Sequence, residues 1–284
     1  MNTNLARKYR PKVLSDLIGQ PSVTRIFTNA IKHNRLQQCY IFCGQFGSGK
    51  TSMARLLSAM ENCTVSPGAN PCGKCDNCKR IFDGNHTDVV EIDAASGAGK
   101  VEQVRKLKTD ALYNPIDGCK TKYFIIDECQ KLSPSSNDAL LKILEEPPSN
   151  VRFILCTTDI QKMRPAVLSR CQRHDFKKIY WTQIAGRIKE VAKLEKIQLS
   201  DGAANICAKL AQGSMRNGLQ NLQKLVDLAG TDDNCVIDDK MAEEIFGSVG
   251  EMLFYDLFDQ IIGDEISKPD ASEGYGIIYK MLQN

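Results

Sequence analysis

The sequence predicts an α/β fold: a doubly wound, five-stranded parallel sheet, followed by a small unit of three helices. Three observations carry this. Short, almost wholly apolar runs alternate with helical patterns along the first part of the chain, as buried parallel strands and their crossover helices do. The first such run leads into a glycine-rich loop and then a helix. After about Tyr180 the strand-like runs stop and helical periodicity alone remains.

Four runs read clearly as strands: Cys39–Gly44 (CYIFCG), Asp88–Asp93 (DVVEID), Lys122–Asp127 (KYFIID) and Arg152–Thr158 (RFILCTT). A fifth, Gln172–Phe176 (QRHDF), is weaker. Between the third and fourth, SPSSNDALLKILEEPP has serines to cap a helix and Pro147 and Pro148 to stop it. Beyond Tyr180, Ile184, Ile188 and Val191 share one helical face. Ala203, Ile206, Cys207 and Leu210 share a second, and Leu219, Leu222 and Val226 a third, with Gly213 and Gly230 as punctuation. The expected organisation is a sheet domain over residues 1–178, a helical domain over 179–242 and a short further helical stretch over 243–284.

Composition narrows the class. The chain has 284 residues, with 42% hydrophobic and 25% charged, as an ordinary globular protein has. No apolar run approaches the roughly 20 residues a membrane helix needs. The start, MNTNLARKYRPK, lacks the apolar centre of a secretory signal. The expected location is therefore the cytoplasm, with no membrane partner. The formal net charge of +3 is too mild to announce nucleic-acid binding, so any DNA contact must come from a local patch. Of twelve cysteines, eight (Cys39, Cys43, Cys119, Cys129, Cys156, Cys171, Cys207 and Cys235) are scattered in mostly apolar contexts and read as reduced core residues.

GQFGSGKT, Gly44 to Thr51, fits G-x-x-x-x-G-K-[ST] at every fixed position, after a strand and before a helix. Such a loop curls main-chain N–H groups around phosphates at a helix N-terminus. The nucleotide-binding set read here is Gly44, Gly47, Ser48, Gly49, Lys50, Thr51 and Ser52, with Lys50 for the β- and γ-phosphates and Thr51 for Mg²⁺. YFIIDE supplies the partner: Asp127 for Mg²⁺ and Glu128 to orient and polarise an attacking water. CTTD places Thr158 at the next strand end, beside a γ-phosphate.

The remaining cysteines, Cys63, Cys72, Cys75 and Cys78, make C-x8-C-x2-C-x2-C. Four thiolates suit a closed tetrahedral zinc site; they also suit an iron–sulfur cluster. The absence of another redox motif in the sequence favours zinc. The module, residues 62–80, is an insertion between the helix after the phosphate loop and the second strand. With no ligand position left for water, its expected role is structural.

Taken together, ARKYRP, LIGQ, GSGKTSMARLL, PCGKCDNC, IDAAS, LLKILEEPP, TTDIQK and LSRC occur in one order, and the chain resembles the γ/τ subunits of bacterial DNA polymerase III clamp loaders, which are AAA+ ATPases. The resemblance covers roughly residues 5–230. It implies a RecA-like sheet domain with a zinc insertion, a three-helix lid and a helical collar that residues 243–284 only begin, short or truncated. It implies ATP, Mg²⁺ and one Zn²⁺ per chain. The implied function is an ATP-driven motor that opens a sliding clamp and loads it on primer-template DNA, in a hetero-oligomeric ring of five subunits. Tyr9, Arg10, Pro11 and Ile18 correspond to the segment that wraps adenine. Arg170, in LSRC, corresponds to a finger that enters a neighbouring subunit's ATP site, and Arg216, in GSMRN, to a lid arginine that reaches the chain's own nucleotide. Lys100 and Arg105 correspond to a region that touches the template backbone, a contact without sequence information. One departure is that Cys129 and Gln130 follow Glu128 where bacterial members commonly have Val-His. Two competing classes are an inactive structural subunit, which intact Lys50, Thr51, Asp127 and Glu128 oppose, and another AAA+ remodeller such as a Holliday-junction motor or helicase loader, which the cysteine insertion and LSRC oppose.

Overall fold

The computed structural model describes residues 4–68, 70–96, 100–116, 118–229 and 236–247, with the main chain only for residues 100, 101, 103 and 105. Five strands, β1 (Cys39–Gly44), β2 (Val89–Asp93), β3 (Lys122–Asp127), β4 (Val151–Thr157) and β5 (Gln172–Phe176), form one sheet. Its order is β2-β3-β4-β1-β5, and every neighbouring pair is parallel; the sequence predicts the five parallel strands and not their order. The weak fifth run is real: it is an edge strand, so only alternate residues, His174 and Phe176, are buried.

The sheet is covered on both faces. Helices α1 (Leu5–Lys8), α2 (Pro21–Lys32), α3 (Lys50–Asn62) and α4 (Asp76–Asp83) precede β2, α5 (Lys100–Asp110) precedes β3, α6 (Pro134–Glu145) precedes β4 and α7 (Pro165–Leu168) precedes β5. β1 shows the division of faces. Tyr40 and Phe42 join one apolar cluster with Phe27 of α2 and Met53, Leu56 and Leu57 of α3. Cys39 and Ile41 join the opposite cluster with Leu107 of α5 and Leu140 and Leu144 of α6. A strand buried on both faces reads as a continuous apolar run, which is why these strands were visible. The connections leaving the neighbours β1 and β4 run to opposite sides of the sheet, and ligands of such sheets bind in the crevice beyond the strands' carboxyl ends at that point.

The second unit is richer than the three helices the sequence predicts. α8 (Trp181–Leu194), α9 (Asp201–Lys209) and α10 (Met215–Ala229) are joined by α11 (Asp239–Phe246) and by a parallel pair, β6 (Gln198–Leu199) and β7 (Val236–Ile237). Strands of two residues carry no readable alternation, so the expectation of helices alone is corrected here. Ile184, Ile188, Cys207, Leu219 and Leu222 make this unit's core. Leu5 and the half-buried Tyr9 and Ile18 belong to that core too, so the N-terminal segment packs on the helical unit. Residues 248–284 and Cys235 lie outside the described residues, and with them most of the expected third stretch.

Candidate nucleotide site and metal module

The phosphate loop joins β1 to α3. At Gly44 a Cβ would stand 2.4 Å from the Phe176 carbonyl oxygen, so only glycine lets the loop leave the sheet there. Lys50 opens α3 and is 4% exposed; its ammonium donates to the carbonyl oxygens of Gly44 (2.7 Å) and Gln45 (3.0 Å). The loop is tied down by a buried side chain that sequence reasoning missed, Gln20. Its amide donates to the Lys177 carbonyl (2.7 Å) and the Ser48 carbonyl (3.3 Å) and accepts from the Lys177 N–H (3.0 Å). Ser48 Oγ and Gln45 Oε1 are buried with no hydrogen-bond partner among the described residues. Orphaned polar atoms on a glycine loop fit a polar ligand such as a nucleotide phosphate.

The acidic residues emerge from the adjoining strand end. Thr51 Oγ1 donates to Asp127 Oδ2 at 2.8 Å, so the helix hydroxyl and the strand carboxylate predicted for one Mg²⁺ lie side by side. Burial raises the Asp127 pKa above its ordinary value despite the Thr51 hydrogen bond and the Lys50 charge. A divalent cation would stabilise the charged form of a carboxylate held this way, so the pair fits the metal. Glu128 follows with φ 49° and ψ 42°, a left-handed conformation that is uncommon for a residue with a side chain. Its Oε2 accepts from Thr158 Oγ1 (3.0 Å) and from Gln130 Nε2.

These residues line a cleft of about 810 Å³ that includes Gly44, Gln45, Asp127, Glu128, Thr158 and Arg216. Arg216, at the start of α10, lies with its guanidinium carbon 4.8 Å from the Phe46 ring centroid, so the helical unit closes over the loop. The structure places Asp127, Glu128, Thr158 and Arg216 on this cleft, with Lys50 and Thr51 beside it through their hydrogen bonds to Gly44 and Asp127. It also adds to the cleft Gln45 and Phe46, variable positions of the loop motif, and Lys131 and Lys178, which no motif marks.

Tyr9, Arg10, Pro11 and Ile18 are not among the cleft's lining residues. Tyr9 donates its hydroxyl to Glu195 of the helical unit, and burial together with that carboxylate pushes the phenol pKa up to about 12. Burial, with the charges of Arg55 and Arg216, pulls the Arg10 guanidinium below its ordinary value. Among the described residues Arg10 makes no ion pair. Arg170 sits apart from the cleft. It donates to the Ala166 carbonyl (2.8 Å) and pairs with Glu145 at 2.7 Å, both on the surface of its own chain. The expected DNA contacts of Lys100 and Arg105 lie outside the described residues: α5 carries their main chain, and their side chains are not described.

The cysteine module begins where α3 ends. Cys63, Cys72, Cys75 and Cys78 hold their sulfurs within 4.8 Å of one another, with Cys63 and Cys75 at 4.0 Å. Tetrahedral zinc with Zn–S near 2.3 Å places its sulfurs about 3.8 Å apart, so the set fits the metal and is far too open for disulfides. Main-chain N–H groups of Ser66, Lys74, Cys75 and Cys78 point at the sulfurs of Cys63, Cys72, Cys72 and Cys75 at 3.3–3.4 Å. Such donors stabilise thiolates. Cys75 also caps α4. Two buried amides fasten the module to the sheet: Asn77 donates to the Asn62 carbonyl (3.0 Å), and Asn62 bonds the main chain of Lys120 and Thr121 at the start of β3.

A second cluster, His86, Asp88 and Cys119, lies nearby. His86 Nδ1 accepts the Asp88 N–H at 3.0 Å, so the neutral ring carries its hydrogen on Nε2, 3.6 Å from Cys119 Sγ. A ring nitrogen bearing hydrogen is no ligand, and the cluster reads as a hydrogen-bond chain.

Residues 19–180 match a family model described as DNA polymerase III, delta subunit. The chain is 46% identical over 215 residues to the DNA polymerase III subunit tau/gamma of Haemophilus influenzae, covering 76% of this chain and 31% of that protein. It is 34% identical over 264 residues to the DNA polymerase III subunit gamma of Buchnera aphidicola subsp. Acyrthosiphon pisum, covering 93% of this chain and 72% of that one. The chain thus spans 31% of the length of the first relative and 72% of the second. In fold it is similar to the Thermotoga maritima RuvB Holliday junction branch migration motor, with a TM-score of 0.60 at 18% identity over 83% of this chain and 71% of that one.

Proposed function

The chain belongs to the DNA polymerase III gamma/tau family, and from that premise we propose that it is an ATP-hydrolysing subunit of a sliding-clamp loader. The observation that carries the reading is the meeting of Lys50, the Thr51–Asp127 pair, Glu128 and Thr158 at one cleft, from three separate stretches of chain. Phosphoryl transfer asks a protein for position and charge rather than covalent chemistry.

In this reading the loop from Gly44 to Ser52 holds the phosphates by main-chain N–H groups, and Lys50 exchanges its two carbonyl partners for phosphate oxygens. Thr51 and Asp127 hold Mg²⁺, which when bound neutralises phosphate charge. Glu128 orients and polarises the attacking water, Thr158 sits beside the γ-phosphate, and Arg216 reaches the nucleotide from the helical unit. The N-terminal segment, Tyr9 to Ile18, bridges sheet and lid where the base would lie. Residues 1–178 act as the ATPase domain and 179–242 as the lid. Cys63, Cys72, Cys75 and Cys78 hold one structural zinc. Arg170 completes a neighbouring subunit's site, which makes a five-membered ring with other loader subunits, a clamp and primer-template DNA the expected setting. Lys100 and Arg105 are the candidates for contact with the DNA backbone.

The test separates binding from chemistry. Glu128→Gln keeps shape and reach but removes the carboxylate. It should bind ATP nearly as the parent does and hydrolyse it about 10²–10⁴ times more slowly. Lys50→Ala should weaken binding itself. Parent-like hydrolysis by Glu128→Gln would overturn the assignment.

A further inference from the structure

The short helical turn after Glu128 carries a device that the phosphate-site motifs do not describe. Glu128 occupies the left-handed region, φ 49° and ψ 42°, which a residue with a side chain uncommonly adopts. Such a conformation persists only where surrounding contacts determine it. Two neighbours do so. Cys129 points inward, fully buried, with its sulfur 3.5 Å from that of Met163. Gln130 turns sideways onto the end of β4. There its Oε1 accepts the hydroxyl of Thr157 at 2.8 Å, and Thr157 is itself fully buried.

The Thr157 hydroxyl also lies 3.0 Å from the Asp159 carbonyl, and what fixes the Gln130 amide is the Glu128 carboxylate, which can only accept and so faces Nε2. The amide oxygen then lies toward the buried hydroxyl and the NH₂ is turned outward, where Nε2 donates to Glu128 Oε2 and lies 2.9 Å from Thr158 Oγ1. Thr158 donates to the same Oε2 at 3.0 Å. One carboxylate oxygen therefore carries two donors, while Oε1 has no partner among the described residues, on a side chain that lines the cleft.

We propose that Gln130 is a positioning residue for hydrolysis: seated on Thr157, it holds one oxygen of Glu128 and so presents the other to the attacking water. The inference rests on the ATPase reading above. It adds that the amide donor, and not merely the volume of Gln130, sets the productive placement of Glu128.

The experiment uses the full 284-residue chain together with its loader partners. Affinity is read with a fluorescent ATP analogue and hydrolysis in single turnover at saturating ATP. Gln130→Glu is nearly isosteric and fills the same space, but offers the Glu128 carboxylate an oxygen in place of a donor. Gln130→Ala removes both. A misplaced catalytic group costs about tenfold or more, so Gln130→Glu should lower the hydrolysis rate at least tenfold with nucleotide affinity within about twofold of the parent. Gln130→Ala should behave alike. Thermal melts of both variants, matched to the parent, exclude a folding defect. A parent-like or faster rate in Gln130→Glu overturns the inference while leaving the ATPase reading intact. Hydrolysis that does not depend on Glu128 overturns the reading and the inference together.

Discussion

Gly47→Ala tests the contact between the phosphate loop and the helical unit. Gly47 has φ +74°, and a Cβ there would stand 2.0 Å from Ser214 Oγ, 3.1 Å from Arg216 Cβ and 3.2 Å from Ser214 Cβ. The left-handed conformation alone costs an alanine about 1–2 kcal/mol. The overlap with Ser214 falls short of a comfortable separation of ~3.5 Å by more than an ångström, so one side must retreat. Ser214 is fully buried, and its Oγ accepts the Asn217 N–H at 3.2 Å in the first turn of α10. Displacing that capping oxygen forfeits about 1 kcal/mol more. With the free loop relaxing out of this conformation and regaining it on binding, the sum, about 2–3 kcal/mol, sets the loss of ATP affinity at about 30- to 150-fold at most. It is measured as Kd by displacement of a fluorescent ATP analogue. Ser214→Ala removes the atom of closest approach, so Gly47→Ala/Ser214→Ala should bind more tightly than Gly47→Ala alone. Equal affinity in the single and double variants would refute the reasoning, because the loss would then not arise at this contact.

Three further outcomes are expected. Elemental analysis of the purified chain should give one zinc, and Cys75→Ala should lose it and melt well below the parent while each folded molecule turns over ATP at a similar rate; iron, or no metal in the parent, would contradict this. Burial would raise the Glu61 pKa, but the Arg152 guanidinium, at 2.6–2.7 Å, outweighs it and holds the carboxyl below its ordinary range. The pair's contribution is therefore complete above the unfolded glutamate pKa of about 4.3 and fades as pH falls through the lower folded value, so Arg152→Ala should cost about 3–5 kcal/mol in urea unfolding at pH 7 and visibly less at acid pH. An equal gap at both pH values would argue against it. Arg170→Ala and Lys50→Ala chains, each poorly active alone, should regain hydrolysis when mixed into one assembly; complexes that form without regaining it would place Arg170 outside a neighbour's site.

What the sequence disclosed follows from how each signal is written. β1, β3 and β4 were legible because both of their faces are buried, which leaves an unbroken apolar run. Gly44 to Thr51 and the four clustered cysteines were legible because their chemistry requires fixed residue types at fixed spacing. Gln20, Gln130 and Thr157 were not, because an amide or hydroxyl acquires its role only from partners that folding supplies. Gln130, a departure from the family's usual residue, gave no hint that it would face Glu128 and Thr158 across the gap between β3 and β4. The packing of Leu5 and Tyr9 on the helical unit was hidden for the same reason, since those contacts span more than half the chain.

Helix α3 explains why a phosphate loop and a metal module lie so close in sequence. Lys50 and Thr51 occupy its first turn and Cys63 follows its last residue, Asn62. Twelve residue steps at 1.5 Å separate the two ends by about 18 Å. The cysteine module is thus near the phosphate loop in sequence yet a helix length away from it. Between the ends, α3 is fixed to the sheet at successive points. Arg55 pairs with Glu91 of β2 at 2.6 Å, Glu61 with Arg152 of β4 at 2.6 Å, and Asn62 bonds the main chain of Thr121 ahead of β3. The segment after α3 has little apolar material of its own to bury, and Val65 is 70% exposed. The end of α4 is held to the sheet domain by buried Ile81 and by the Arg55–Phe82 hydrogen bond, so the cysteines would fix chiefly the loop before α4 and the start of α4, where Asn77 meets Asn62. In the proposed reading, a zinc held by the four cysteines would stabilise the far end of the same helix whose near end would bind phosphate. Loss of that zinc should therefore show in stability and leave the turnover of each folded molecule unchanged.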